Sequence, residues 1–439
     1  MHMKYFLSAI IIVFSVAIGE TADAQDQNLA NSGSFYSGFG YGSPSETYSP
    51  NTIGMGLSGV STFSNQSANV SNPALWGLSG FTHGSVALSM MNYNASDQFD
   101  SSRKALFAFD QFQLMLPIVR NRLGVSISFN PVTRSDFQRI TEDTFVPVDG
   151  IQLDDVDYLT NTQGSGGVNK FEFGAGYRLM DNITVGYSMG AYLLSQKQEV
   201  TAAFSDISYR GLNYNRDIEG YAFGHKFGFF ANKNSILGSE DQFAIGATVT
   251  LPVTIDAERS VSAFRTINGR RTLVELDQNG SAVDGTVKLP MEINTGLTYN
   301  LNRFVVFSAE TMIQQWSDAE YSFNSVQEAY FKDRLKAGFG VQYHPYRTEQ
   351  RGGLFSNFKY SLGSSYDTGH LNINGEDIDT LFLNAGIGFV SRQTASSIDL
   401  SFEYGIRGTE SASLVKENIW GFKLSLNLAE FMFVRPKFQ

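Results

Sequence analysis

Leu123-Gly124-Val125-Ser126-Ile127-Ser128-Phe129-Asn130 alternates large apolar residues with small or polar ones, and Ile398 to Arg407 repeats the pattern as Ile-Asp-Leu-Ser-Phe-Glu-Tyr-Gly-Ile-Arg. A period of two sends successive side chains to opposite faces, which is the signature of a strand rather than a helix. The same arrangement sets Phe171, Phe173 and Tyr177 against Lys170, Glu172 and Arg178. It also sets Leu335, Phe339, Val341 and Tyr343 against Lys336, Gly338, Gly340 and Gln342. One face is apolar and the other small or charged, as in strands that meet lipid outside and a polar lumen inside.

Working outward, about fourteen such segments recur, near residues 83–93, 103–116, 122–133, 169–178, 183–199, 220–231, 242–259, 286–301, 303–317, 333–344, 357–367, 379–390, 397–407 and 417–433. An even count returns both ends of the chain to one side. Several connections are tight, at Pro117 to Asn121, Leu179 to Asn182 and Asn302. Those from Arg134 to Val168, Val200 to Glu219, Ser260 to Gly285 and Asp318 to Lys332 read as long polar loops. Alternating short and long connections mark an outer-membrane barrel. A secreted β-sandwich alternates too, but has no reason to sort its loops by length. The expected fold is all-β: a transmembrane antiparallel β-barrel of about 14 strands, residues 83–439.

Composition agrees. Of 439 residues only 17% are charged, the net charge is −11 and cysteine is absent. Soluble domains average about 25% charged residues. No disulfide scaffold, thiolate metal site or cysteine nucleophile is possible, and the acidic balance argues against a nucleic-acid partner. Lys4, the apolar stretch Phe6 to Ile18 and Ala22-Asp23-Ala24 read as a signal peptide over residues 1–24. No later apolar run is long enough for a helical span. The expected location is the outer membrane of a Gram-negative bacterium.

Residues 25–82 are rich in Ser, Gly and Asn and do not alternate, yet carry Met55, Leu57, Val60, Phe63, Leu75, Trp76 and Leu78. Such a segment would be an exposed liability outside a barrel, and fits the lumen as an N-terminal plug. Polar-face glycines such as Gly174, Gly176, Gly338, Gly340, Gly386 and Gly388 either admit a lumen segment close to the wall or ease strand bending. Gly54-Met55-Gly56, Ser58-Gly59 and Ser67-Ala68-Asn69-Val70-Ser71-Asn72-Pro73-Ala74 resemble the N-terminal hatch signature of the FadL/TodX family of outer-membrane long-chain fatty acid and hydrocarbon transporters. Leu289-Pro290, Gly296-Leu297-Thr298-Tyr299 and Gln315-Trp316-Ser317 resemble its eighth and ninth strands. The resemblance implies a hatch-closed barrel that passes a hydrophobic compound sideways into the bilayer, past a deformed third strand.

Three candidate regions follow. Asn72-Pro73-Ala74 reads as a turn in the hatch, either a hinge or a fixed corner. Asn130 and Pro131 end the third strand, where proline removes a ladder donor and could open the wall. Phe304 and Val306 put apolar side chains on a face that continues through Ser308 and Glu310, and could touch a ligand or pack the plug. His83, His225, His344 and His370 show no metal-ligand spacing, and no nucleophile elbow or phosphate loop is present, so neither a metal, a cofactor nor catalysis is expected. The acidic run Glu142, Asp143, Asp149, Asp154, Asp155 and Asp157 matches no calcium loop. The function read from these features is a monomeric channel for long-chain fatty acids or other hydrophobic compounds, whose partners are that small molecule and outer-membrane lipid. The alternative is a barrel of this shape acting as an interaction or shuttle component of a protein secretion system.

Overall fold

The computed structural model describes residues 32–145, 156–206, 211–267, 270–274, 282–323, 326–327, 330–345, 354–391, 396–411 and 414–430. The expected signal peptide and Asp149, Asp154 and Asp155 lie outside them. The wall is a closed antiparallel barrel of 14 strands. In chain order they are β1 Thr82–Ser96, β2 Ser101–Val119, β3 Leu123–Pro131 resuming as Phe137–Phe145, β4 Val156–Met180, β5 Ile183–Phe204, β6 Leu212–Asn234 and β7 Gln242–Thr250 resuming as Val253–Ile267. There follow β8 Val283–Leu289 and Glu292–Asn300, β9 Val305–Gln314 and Glu320–Phe323, β10 Arg334–Tyr343, β11 Phe358–Asp367, β12 Thr380–Val390, β13 Ser397–Arg407 and β14 Lys416–Glu430. β14 pairs with β1 from Thr82 opposite Glu430 to Ser96 opposite Lys416, which closes the ring and leaves no seam there.

The alternation sorts as expected. On β13, Leu400, Phe402, Tyr404 and Ile406 point outward while Asp399, Ser401 and Glu403 are buried in the lumen. Exposed Phe, Leu and Ile side chains recur around the outer face, the lipid-facing band of such a barrel. Tight turns join β2 to β3, β4 to β5 and β8 to β9, and Asn121 takes a left-handed φ of 55° in the first of them, a conformation asparagine tolerates.

The connections expected to be long loops are largely strand. β5 alone has 22 residues, roughly 70 Å at ~3.3 Å per residue, well beyond an apolar belt of ~25 Å even when tilted. Past that belt both faces are wet, so alternation disappears while backbone pairing continues.

Residues 32–81 lie against the lumen face and bury most of their side chains. Three short 3₁₀ turns, Phe35–Gly38, Ile53–Met55 and Pro73–Leu78, are their only helices among the described residues. On the rim opposite the tight turns, Tyr41 stacks on Trp316 at 5.4 Å and Trp316 meets His370 at 4.5 Å. Phe331 of the β9–β10 connection packs on both Tyr41 and Trp316, so aromatic side chains of the hatch, the interruption of β9 and the β9–β10 and β11–β12 connections cover the lumen there.

Candidate functional site

The third strand departs from the wall. Its ladder with β2 runs only from Phe112 opposite Phe129 to Val119 opposite Leu123, and among the described residues no ladder joins residues 101–111 of β2 to β3. The regular ladder with β4 stops at Pro131 opposite Asn169, beyond which the Val132 and Ser135 N–H groups still reach the Val168 and Gly166 carbonyls at 2.7 and 2.8 Å. Residues 132–136 then turn inward, and Thr133 and Arg134 pair instead with Pro44 and Ser43 of the hatch. The strand regains the wall at Phe137, along β4 only. Asn130 and Pro131, singled out from sequence, sit where this excursion begins, and Asn130 donates to Thr47 Oγ1 at 3.2 Å.

Side chains and the hatch mend the break. Arg134 donates to the Phe109 carbonyl and, at 3.1 Å, to Asp110 Oδ1. Lys104 Nζ donates to Gln138 Oε1 at 2.7 Å. The Ser32 N–H bonds the Ala105 carbonyl of β2 at 3.3 Å, while the next N–H, of Gly33, bonds the Asp136 carbonyl at 2.8 Å. The hatch therefore touches both sides of the break, and Ser45 N–H holds the Val132 carbonyl at 2.8 Å behind it.

Further round, buried carboxylates clasp the hatch backbone. Glu310 of β9 accepts from Ser58 N–H, Ser58 Oγ, Gly59 N–H and Val60 N–H at 2.7–2.9 Å. Glu417 of β14 accepts from Ser34 Oγ and Phe35 N–H, both at 2.7 Å. Arg334 joins Asp367 of β11 to Glu46 of the hatch, and Lys336 reaches Glu46 at 3.1 Å. Burial alone would raise the Glu46 carboxyl; the Lys336 and Arg334 charges outweigh it and hold it at about 2. Sequence reading placed Glu310 in the lumen but did not identify it as a clasp, because its partners lie some 250 positions away.

Asn72 is the N-cap of the Pro73–Leu78 turn, accepting from Ala74 N–H at 3.0 Å. Its amide donates to the Val60 carbonyl at 2.8 Å and to the Phe229 carbonyl of β6 at 3.0 Å. Beneath this corner the wall is floored with glycine. A Cβ on Gly176 would lie 2.3 Å from the Pro73 carbonyl, and one on Gly186 would lie 2.3 Å from Ala74 N. Gly338, Gly340 and Gly386 give the same close approach to Leu57, Met55 and Gly54, whereas Gly174 faces the Tyr187–Ser188 backbone of the wall and Gly388 the Asp399 and Lys359 side chains. Phe304 and Val306 lie at the turn-side end of β9, Val306 on the lumen face below Ser308, and neither lines the two lumen cavities described next.

One cavity, of about 120 Å³, lies between the hatch and β3–β10 and is bordered by Pro131, Lys226, Leu289, Glu292 and Trp316. The other, of about 130 Å³, lies directly behind the break, where Met91, Leu106, Phe382 and Ile419 face Asp110 and Arg134. Elsewhere the lumen is crossed by ion pairs such as Lys359–Asp399 at 2.6 Å and Lys423–Glu403 at 2.8 Å. On the outer face His225 bonds Tyr187 at 2.8 Å. No cluster of potential metal ligands occurs among the described residues.

The barrel is similar to a Pseudomonas aeruginosa FadL homologue with a TM-score of 0.58 at 12% identity, covering 89% of this chain and 99% of that one. It is similar to the Ralstonia pickettii toluene transporter TbuX with a TM-score of 0.55 at 15% identity, covering 87% and 98%. The CymD monoaromatic hydrocarbon channel gives 0.54 at 13% identity, covering 88% and 98%. The fold is thus that of FadL-type outer-membrane channels. No curated protein matches the sequence. A single family model spans residues 5–439, and by it the chain belongs to the BamG family.

Proposed function

We propose that the protein is an outer-membrane channel for the passive uptake of a hydrophobic compound, a long-chain fatty acid or a hydrocarbon, with release sideways through the β3 break. The observation that carries this reading is that residues 132–136 have no ladder to β2, hold β4 only through the Val132 and Ser135 N–H groups, and serve as the partner strand of the hatch. Motion of hatch residues 43–47 therefore acts directly on the break, while Asn72 to Ala74 form the seat about which the segment moves. The cavity behind Arg134 offers Met91, Leu106, Phe382 and Ile419 to an apolar group at the mouth of that route. The fold similarity to hydrocarbon channels supports the same reading.

The experiment is uptake of radiolabelled oleate and toluene by cells that lack the endogenous gene and express either the wild type or Arg134→Ala. Arg134→Ala removes the bridge to Phe109 and Asp110 and is expected to raise uptake several-fold. Uptake at the level of cells without the barrel, for both proteins and both compounds, would defeat the proposal.

A second reading, a plugged barrel serving as an interaction component of a secretion system, is favoured by one observation. The lumen is crossed by buried ion pairs, and the cavities beside Pro131 and behind the break measure only about 120 and 130 Å³. Co-purification of a stoichiometric protein partner, together with absent uptake, would select it.

A further inference from the structure

β7 and β8 carry a second discontinuity, built differently from the first. Their ladder keeps one register across it, with Thr250 opposite Glu292 on one side and Val253 opposite Leu289 on the other. Leu251 therefore faces Met291, and Pro252 faces Pro290. The Leu251 N–H donates away, to the His225 carbonyl of β6 at 3.0 Å, and the Met291 carbonyl accepts from Gln315 of β9 at 3.0 Å. In an antiparallel ladder the bonding direction alternates, so Pro252 and Pro290 hold the rung at which β7 and β8 would exchange both bonds. Neither residue has an N–H. From Thr250 to Thr254 the seam runs for roughly 13 Å at ~3.3 Å per residue with no donor from either strand at its centre. β9 breaks at the same level into the 3₁₀ turn Trp316–Asp318.

The 120 Å³ lumen cavity lies immediately behind, lined there by Leu251, Val253, Leu289, Pro290 and Trp316. Leu251 is also 38% exposed on the outer face, so one side chain separates lipid from cavity. Lys226 of β6 lines the same cavity. Its neighbours Lys170 and Glu172 pair with one another, Glu292 accepts from Gln314 at 2.6 Å, and among the described residues Lys226 feels the Glu172 and Glu292 charges but makes no ion pair within 4 Å. An ionisable group at membrane depth is costly unless it serves a ligand or a partner.

We infer that the Pro252–Pro290 rung is a lateral window through which a membrane amphiphile, an apolar chain with an anionic head, enters the lumen cavity and places its head against Lys226. The window would be the entrance to the passage proposed above, on which it rests, and thiol labelling reads it without any uptake measurement.

The chain has no cysteine, so Val253→Cys places a single thiol in the cavity. In lipid vesicles this thiol is expected to react with hexadecyl-maleimide about tenfold faster than with a charged, water-soluble maleimide, because only the alkyl reagent partitions into the bilayer. Adding Pro252→Val and Pro290→Val restores both donors and is expected to cut alkyl labelling about tenfold while leaving the charged reagent's rate unchanged. Each proline replaced alone restores one donor and is expected to give an intermediate rate, which keeps the test available if the double variant does not assemble. Alkyl labelling that ignores the prolines, or that rises with Arg134→Ala instead, overturns the window. Palmitate is expected to protect the thiol better than hexadecanol, with the preference lost in Lys226→Gln; equal protection in the wild-type background overturns the anionic head. Labelling as expected in a protein that takes up neither oleate nor toluene would retain the window and remove the transport reading.

Discussion

Two stretches of the hatch, residues 58–78 and residues 43–47, are held in different ways. Residues 58–78 rest on glycine: Glu310 accepts from the Ser58, Gly59 and Val60 N–H groups, Asn69 from those of Ser71 and Asn72, and the Asn72 side-chain amide donates to the Phe229 carbonyl of β6. Residues 43–47 instead bond to a strand that has left the wall, and Glu46 reaches across to Lys336 and Arg334, while Ser34 and Phe35 ahead of them are clasped by Glu417 of β14. Residues 58–78 are fixed to a continuous sheet, and residues 43–47 to a discontinuity. A segment anchored this way can shift at residues 43–47 without leaving its seat, because the excursion of β3 has few ladder bonds to lose.

The largest effect is expected in residues 58–78. Glu310→Ala strands three buried N–H groups, a loss on the order of 4 kcal/mol and about a thousandfold in local amide protection at Ser58 to Val60. Hydrogen exchange in detergent checks it; unchanged protection there would erase the distinction between the two stretches.

Gly186→Ala comes next. Its Cβ would meet the Ala74 nitrogen and the Pro73 carbonyl carbon, both at 2.3 Å. Backbone cannot yield as a side chain can, so unseating of the corner by roughly 2–3 kcal/mol is expected. Gly84→Ala is the control, since nothing lies within 4 Å of its Cβ. Thermal unfolding of the pair should differ, and equal midpoints would mean the glycine floor is not a seat.

At the discontinuity Arg134→Ala is expected to loosen residues 132–136 by about 1–2 kcal/mol without disturbing Ser58 to Val60. Limited proteolysis with mass spectrometric mapping separates the two segments.

The smallest expected effect is acid release. Glu46 is held near 2, below its ordinary 4.5, so the charged form is the one the folded state favours. Its contribution is full above the ordinary value and is lost as pH falls from about 4.5 towards 2. Exchange at residues 43–47 should rise through that window in the wild type and be independent of pH there in Glu46→Gln.

Much of the wall was legible because lipid enforces period two. β13 was expected at 397–407 and spans Ser397–Arg407, and β10 was expected at 333–344 and spans Arg334–Tyr343. Where strands continue beyond the lipid, as in β4 and β5, both faces turn polar and the signal vanishes although the ladder persists. Pro131 could be seen to end a ladder, but not that the strand then bends inward to Ser43 and Pro44, since that pairing joins segments about ninety residues apart. The Pro252–Pro290 rung was hidden for the same reason. Each proline is visible alone, and only the register of β7 on β8 sets them face to face. Asn72 read as a turn residue and proved to be an N-cap whose amide also reaches the wall.

The coupling of hatch to break is tested most directly by locking them together. Pro44 and Thr133 are ladder partners, at the Cα spacing of about 4.5–5.5 Å that a disulfide tolerates, and no native cysteine competes. In Pro44→Cys/Thr133→Cys, uptake of oleate and toluene is expected to fall about tenfold on oxidation and to return on reduction. Equal uptake in the oxidised and reduced states would contradict a passage opened by separating the hatch from β3.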